Sequence, residues 1–202
     1  MLHTESVSLT LLEVLAKLQR HPVLDPFALA GGTSLALRFG HRISVDLDFF
    51  SELNFDPVSL AENLTVGPEF ITGQAKGTLQ VLIDQVKVEF LNHAYPQIAP
   101  HESIANIRMW SLPDVAAMKL NAIVNRGSKK DFYDIAALLG RYSIETMLGF
   151  YKEKYNPASM LMIIRSLSWF EDADQEPDPV SLSGASWAQI KDTISNTIRS
   201  LS

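Results

Sequence analysis

Two short signals constrain this chain most: Gly31-Gly32-Thr33 and Asp46-Leu47-Asp48, with Thr33 and Asp46 thirteen positions apart. The first follows an apolar run, Phe27-Ala28-Leu29-Ala30. It precedes Ser34-Leu35-Ala36-Leu37-Arg38-Phe39, a short helical stretch that Gly40 closes. Such a turn puts small residues and N–H groups at a helix N-terminus, where phosphate binds well. The second lies in ISVDLDFF, residues 43 to 50, which alternates as a strand does. Val45, Leu47 and Phe49 take one face, and Ser44, Asp46 and Asp48 the other. Two carboxylates at i and i+2 then project from one face and can share a divalent ion. Alone, an Asp-x-Asp is usually a solvated face. Joined to the Gly-Gly-Thr turn, it specifies a phosphate cradle beside a magnesium platform, as in-line nucleotidyl transfer with two metals requires.

The remaining pattern separates two halves. Leu11, Leu12, Leu15 and Leu18 predict a helix over 5–20, stopped by His21-Pro22. A short helix is expected at 56–64, and a hairpin from 78–83 and 86–91 around Asp84-Gln85, with Lys87 and Glu89 facing away from Val86, Val88 and Phe90. Pro96 and Pro100 mark 92–111 as loop-rich. Beyond it the chain reads as helical. Ser111-Leu112-Pro113-Asp114 and Ser128-Lys129-Lys130-Asp131 both carry a Ser-x-x-Asp capping signal, and Gly127 and Gly140 end the helices they start. Further helices are expected at 143–154, 158–170 and 186–200. Trp169, Phe170 and Trp187 read as core, and the acidic run from Glu171 to Asp178 as a solvated connector. The expected class is α+β: a mixed-sheet core with an N-terminal helix over 1–110, and a helical part over 111–202 packed on it as one compact unit.

With no cysteine, thiolate zinc sites, iron–sulfur clusters and cysteine nucleophiles are excluded, and any metal should be oxygen-bound. The opening residues lack the basic region of a signal peptide, and no apolar run approaches the roughly 20 residues of a membrane span. The expected setting is cytoplasmic, with no membrane partner. The net charge of −6 argues at first against a nucleic-acid partner, but it is unevenly spread. Residues 115–165 hold eight Lys/Arg against four Asp/Glu, or +4, and the rest nine against nineteen, or −10. A local, salt-dependent polyanion contact centred on Lys119 to Lys130 fits that division.

The stretch FALAGGTSLALRFGHRISVDLDFF closely resembles the signature of AbiEii/AbiGii-type toxins, within the DNA polymerase β-like nucleotidyltransferase superfamily. The segments VLIDQVKVEFLNHAYP, LPDVAAMKLNAIVNRGSKKDFYDIAALL and SWFEDADQEP also resemble family segments, so the likeness runs from about residue 25 onward. It implies a polymerase β-like core with a helical C-terminal part. It further implies NTP as substrate, Mg²⁺ (or Mn²⁺) as cofactor, and the role of toxin in a type IV toxin–antitoxin or phage-defence pair, with an antitoxin encoded next door.

Under that resemblance, Gly31, Gly32 and Thr33 match the nucleotide-binding turn, and Asp46 and Asp48 the metal-binding carboxylates. Glu89 corresponds to a third carboxylate, ligand or base, that the superfamily usually carries as aspartate. Facing inward it completes the triad; facing solvent it leaves two carboxylates. Lys119 matches a lysine placed near the triphosphate. Asp134, in a Lys-Asp-x-x-Asp segment with Lys130 and Asp131, is expected to orient Lys119 or assist the base. Lys130, Arg126 and Lys129 are expected to meet phosphate. Arg42 is read as either a phosphate contact or a surface ion pair, and His41 as a turn residue. The leading expectation is transfer of NMP from an NTP to RNA, perhaps a tRNA end. The alternatives are an inactive module that binds NTP, RNA or antitoxin, and transfer to a protein or small-molecule hydroxyl.

Overall fold

The computed structural model describes residues 2–157 and 159–201, which divide into two units. The first comprises the chain up to Arg38, Ser44–Pro96 and His101–Trp110. The second comprises Phe39–Ile43, Gln97–Pro100 and the chain from Ser111 onward.

The first unit opens with helix α1 (Leu9–Gln19), whose start is capped by the Ser8 hydroxyl accepting from the Leu11 N–H. Strand β1 (Ala28–Leu29) leads directly into α2 (Gly31–Phe39), and β2 (Asp46–Ser51) follows. Pro57 sits in the first turn of α3 (Pro57–Asn63), where its missing N–H costs nothing, and Asp56 caps it. Strands β3 (Ile71–Ala75), β4 (Thr78–Ile83), β5 (Val86–Asn92), β6 (Glu102–Ile104) and β7 (Ile107–Met109) complete a seven-stranded sheet. Its order is β3-β4-β5-β2-β1-β7-β6, with β2 parallel to β5, β1 parallel to β7 and the other pairs antiparallel.

One face of that sheet is apolar because each central strand alternates. Leu47 and Phe49 from β2, Val88 and Phe90 from β5, and Leu79 and Val81 from β4 are buried in one cluster with Leu11, Val14, Leu15 and Leu18 of α1. Phe90 stacks on Phe49 at 5.5 Å and meets Phe27 edge-on at 5.4 Å. Each such side chain contributes about 1.5–3 kcal/mol through burial, which fixes the register and turns the alternate residues, Asp46, Asp48 and Glu89, to the other face. Val45 departs from the alternating pattern: it precedes β2 and is 67% exposed.

The second unit begins its helices with α4 (Leu112–Asn125), capped by Ser111, and α5 (Lys129–Leu139). These are followed by α6 (Ile144–Tyr155), α7 (Leu161–Leu167), the single turn α8 (Glu171–Asp174) and α9 (Trp187–Arg199). The helix expected over 158–170 is thus shorter, and Ala158 lies outside the described residues. The two Ser-x-x-Asp signals resolve differently. Ser111 caps α4 as expected, but the Ser128 hydroxyl donates to the Asp131 carboxylate instead of accepting from backbone. Asp114 is more than a first-turn acid. It is fully buried, pairs with Lys154 Nζ at 2.7 Å and accepts from the N–H groups of Ile98 and Ala99. The acidic run is not merely solvated either. Asp174 accepts from Trp187 Nε1 at 2.6 Å and pairs with Lys191, while Glu176 and Asp178 hold Lys129.

Candidate active site

In the first unit the expected groups converge around β2. Asp46 and Asp48 lie on one sheet face, two residues apart, with buried Leu47 between them pointing into the core. The parallel register sets Asp48 beside Glu89 and Asp46 beside Lys87. Glu89 therefore shares the aspartates' face. One strand further, Gln80 opposes Glu89 and donates its side-chain amide to the Glu89 carboxylate at 2.5 Å. Gln80 escaped the sequence reading, although a hairpin turning at Asp84-Gln85 pairs 80 with 89 by simple counting.

Gly31 explains why the Gly-Gly-Thr turn precedes these carboxylates. Its φ of +63° favours glycine, and a Cβ there would occupy the space filled by the Asp48 carboxylate. The Ala30 N–H donates to the Asp48 carbonyl at 2.9 Å, holding the turn to the strand. Gly32 is buried in the first turn of α2. Thr33 is also buried, and its hydroxyl bonds to Ser44 Oγ at 2.8 Å and to the Asp46 carbonyl. Its side chain thus ties α2 to the start of β2. The candidate ligands, all carboxylate oxygens, fit a hard divalent cation, and the missing Cβ at position 31 leaves room for the Asp48 carboxylate. Among the described residues, no three His, Asp or Glu side chains form a metal-holding cluster.

The second unit gathers a different set. Asp131 and Asp134 sit three apart on one face of α5. Lys119 of α4 pairs with both, at 2.9 Å to Asp131 Oδ1 and 2.7 Å to Asp134 Oδ2. Arg42 grips Asp134 with a two-pronged fork, Nε to Oδ1 at 2.8 Å and Nη2 to Oδ2 at 2.9 Å. His41 Nε2 meets Asp134 Oδ1 at 2.7 Å, while its buried Nδ1 has no partner among the described residues. Arg126 closes the set with two bonds to Asp131. Arg42 is therefore a buried ion pair, not a surface one, and His41 joins the network as more than a turn residue. Asp134 turns to Lys119, Arg42 and His41, and Lys130 lies exposed on α5.

Burial and charge oppose each other here. Burial raises the Asp134 carboxyl, but Lys119 and Arg42 outweigh it and hold it well below the usual carboxylate range. Asp131 is lowered in the same way by Lys119 and Arg126 against its own desolvation. For Lys119, desolvation pushes down, while Asp134 and Asp131 leave the ammonium above its ordinary value. Three fixed cations, Lys119, Arg42 and Arg126, face the two carboxylates of Asp131 and Asp134, so these five groups together keep one positive charge in excess.

The fold is α+β, a mixed sheet followed by a helical C-terminal part, and in fold it is polymerase β-like. The family model described as "Nucleotidyl transferase AbiEii toxin, Type IV TA system" matches residues 13–200, and the chain belongs to that family. It is a transferase by class. The uncharacterized protein aq_aa25 of Aquifex aeolicus (strain VF5) is 36% identical over 171 residues, 81% of this chain and 83% of that protein. JHP933 from Helicobacter pylori aligns with a TM-score of 0.54 at 16% identity, covering 97% of this chain and 95% of that one. MenT4, the nucleotidyltransferase toxin Rv2826c of Mycobacterium tuberculosis H37Rv, aligns at 0.55 with 19% identity, covering 95% and 84%. At these identities the structural likeness is one of fold.

Proposed function

We propose that this chain moves an NMP from an NTP onto an RNA hydroxyl with Mg²⁺ as cofactor, acting as the toxin partner of an antitoxin. The reading rests on one observation above all: Asp46 and Asp48 share a face, and the glycine at 31 leaves room for the Asp48 carboxylate. Asp46 and Asp48 would hold the cation, with Glu89 as third ligand or as base. When bound, Mg²⁺ (or Mn²⁺) supplies charge neutralisation on the triphosphate and a more acidic attacking hydroxyl. The backbone N–H groups at the Gly31-Gly32-Thr33 turn would receive phosphate oxygens, while the Thr33 side chain keeps that turn against β2. In the transfer, the acceptor oxygen bonds to the α-phosphorus, the bond to pyrophosphate breaks, and the hydroxyl proton passes to the base. Lys119 and Arg42 would favour the triphosphate through the residual positive charge of their network, with Asp134 orienting both. Lys130 would add a solvent-facing cation.

A second reading, a non-catalytic binding module, is favoured by the bond from Gln80 to Glu89, which takes one oxygen of the carboxylate a base would need. Incubation with labelled NTPs, Mg²⁺ and total RNA, beside an Asp46→Ala/Asp48→Ala variant, separates them. Label on RNA that disappears in the variant is the expected result. NTP binding without label supports the second reading, and label on protein instead of RNA overturns the choice of acceptor.

A further inference from the structure

A cleft of about 340 Å³ in the second unit carries two side chains, Trp169 and Arg165, that make no hydrogen bond, ion pair or ring contact among the described residues. Its lining includes Arg126, Gly127, Met162, Arg165, Trp169 and Asp172. Its size lies within the range of small-ligand sites, about 300–1,000 Å³.

Trp169 was expected in the core, yet it is 49% exposed. Among the described residues its ring meets no aromatic or cationic partner and its indole N–H no acceptor. Trp187 shows what a structural tryptophan looks like here. Its ring packs with Phe132, Tyr133 and Phe170, lies near the ammonium groups of Lys129 and Lys191, and donates to Asp174. Arg165 is likewise exposed and forms no ion pair among the described residues. Arg126 holds Asp131 with 57% of its side chain still exposed. Two guanidinium groups thus face one carboxylate, Asp172, around an uncovered indole.

The positive balance of residues 115–165 cannot be spent as the sequence suggested. Lys119, Lys129 and Lys154 are each 4% exposed or less, held by Asp131, Asp134, Asp178 and Asp114. Any polyanion must therefore meet the cations that remain outside, and Arg126 and Arg165 are two of them, on the same cleft.

We propose that this cleft binds single-stranded polynucleotide, with Trp169 stacking on an unpaired base and Arg165 and Arg126 holding the neighbouring phosphates. An exposed indole offers a flat apolar face to any base, and only an unpaired base is free to take it. Guanidinium is the group suited to phosphate beside an aromatic ring. The inference rests on the RNA-acceptor reading and names where that acceptor is held.

The test titrates the full chain with a twelve-nucleotide oligouridylate at several salt concentrations, following tryptophan fluorescence, with RNA labelling from NTP measured in parallel. Wild type should be quenched on binding. Trp169→Leu should lose that quench and bind about tenfold or more weaker. Arg165→Gln should lower the slope of log affinity against log salt by about 0.7, one phosphate contact. Circular dichroism should match wild type for both, because both side chains are exposed. Equal affinity in Trp169→Leu, or equally tight binding of a duplex of that length, overturns the proposal. A cleft that serves a protein partner gives unchanged oligonucleotide binding in both variants and overturns it too. If wild type labels RNA and Trp169→Leu binds and labels equally well, the cleft is refuted while the acceptor reading stands. If wild type labels no RNA but the quench depends on Trp169, the cleft stands and the acceptor reading fails.

Discussion

Replacing Asp134 with asparagine keeps the shape of the side chain and removes the charge that three buried groups share. The carboxylate takes Lys119 at 2.7 Å, His41 at 2.7 Å and the Arg42 fork at 2.8 and 2.9 Å, with no solvent exposure of its own. Removing one partner of a buried ion pair costs about 3–5 kcal/mol, because the opposite charge stays buried without compensation. Lys119 keeps Asp131, and Arg42 keeps its bond to the Ile43 carbonyl, so a middle value of about 4 kcal/mol is expected. Asp131→Asn should cost less, about 2 kcal/mol, because its partner Arg126 is more than half exposed and water can replace the carboxylate. Urea unfolding at pH 7, followed by far-UV circular dichroism, measures both. The same charges impose a pH dependence on stability. Both carboxyls are lowered in the fold relative to 3.8, so their contribution is present above that pH and lost as pH falls below it. The gap between wild type and Asp134→Asn should therefore narrow in acid. Lys119 is raised above 10.5, so its contribution is present below that pH and is lost as pH rises past it. An Asp134→Asn cost under about 1 kcal/mol, or a larger cost for Asp131→Asn, would refute the assignment of Asp134 as the centre of the network.

Other outcomes follow from single contacts. Gly31→Ala should destabilise by about 1–2 kcal/mol for the left-handed backbone alone. It should weaken divalent binding by more than its stability loss suggests, since its Cβ displaces the Asp48 carboxylate; calorimetric titration with Mn²⁺ beside thermal melts checks both. Lys154→Met should cost about 3–5 kcal/mol by stranding the buried Asp114 carboxylate, read from urea midpoints. Trp187→Ala should cost about 2–3 kcal/mol and Trp169→Ala no more than about 0.5 kcal/mol, because only the first is packed among other rings.

The elements carrying the carboxylates were legible because their signals are local. The alternation of Leu47 and Phe49 with Asp46 and Asp48 sets the faces of β2, and the hairpin at Asp84-Gln85 turns with both residues at positive φ. The β6–β7 hairpin was hidden for the opposite reason. Its strands are three residues long, and Ala105-Asn106 adopts positive φ without the glycine that marks such turns. Strand β3 was obscured by Gly73, whose absent side chain admits Gln80 across the ladder. At the site, the type of each group was readable but not its partner. Lys119, Asp131 and Asp134 stand out on their helices, whereas their meeting with His41 and Arg42 joins residues more than 70 positions apart. Exposure was the least legible property: Trp169 and Trp187 share a composition-level signature, and only packing separates them.

The claim that Asp46 and Asp48 form the cation platform is tested most directly by Mn²⁺ binding to wild type and to Asp46→Asn/Asp48→Asn, followed by electron paramagnetic resonance at pH 7. The account predicts saturable binding in wild type, displaced by Mg²⁺, and a loss of at least about tenfold in affinity in the variant, with circular dichroism unchanged. Equal Mn²⁺ binding by the two proteins would contradict it.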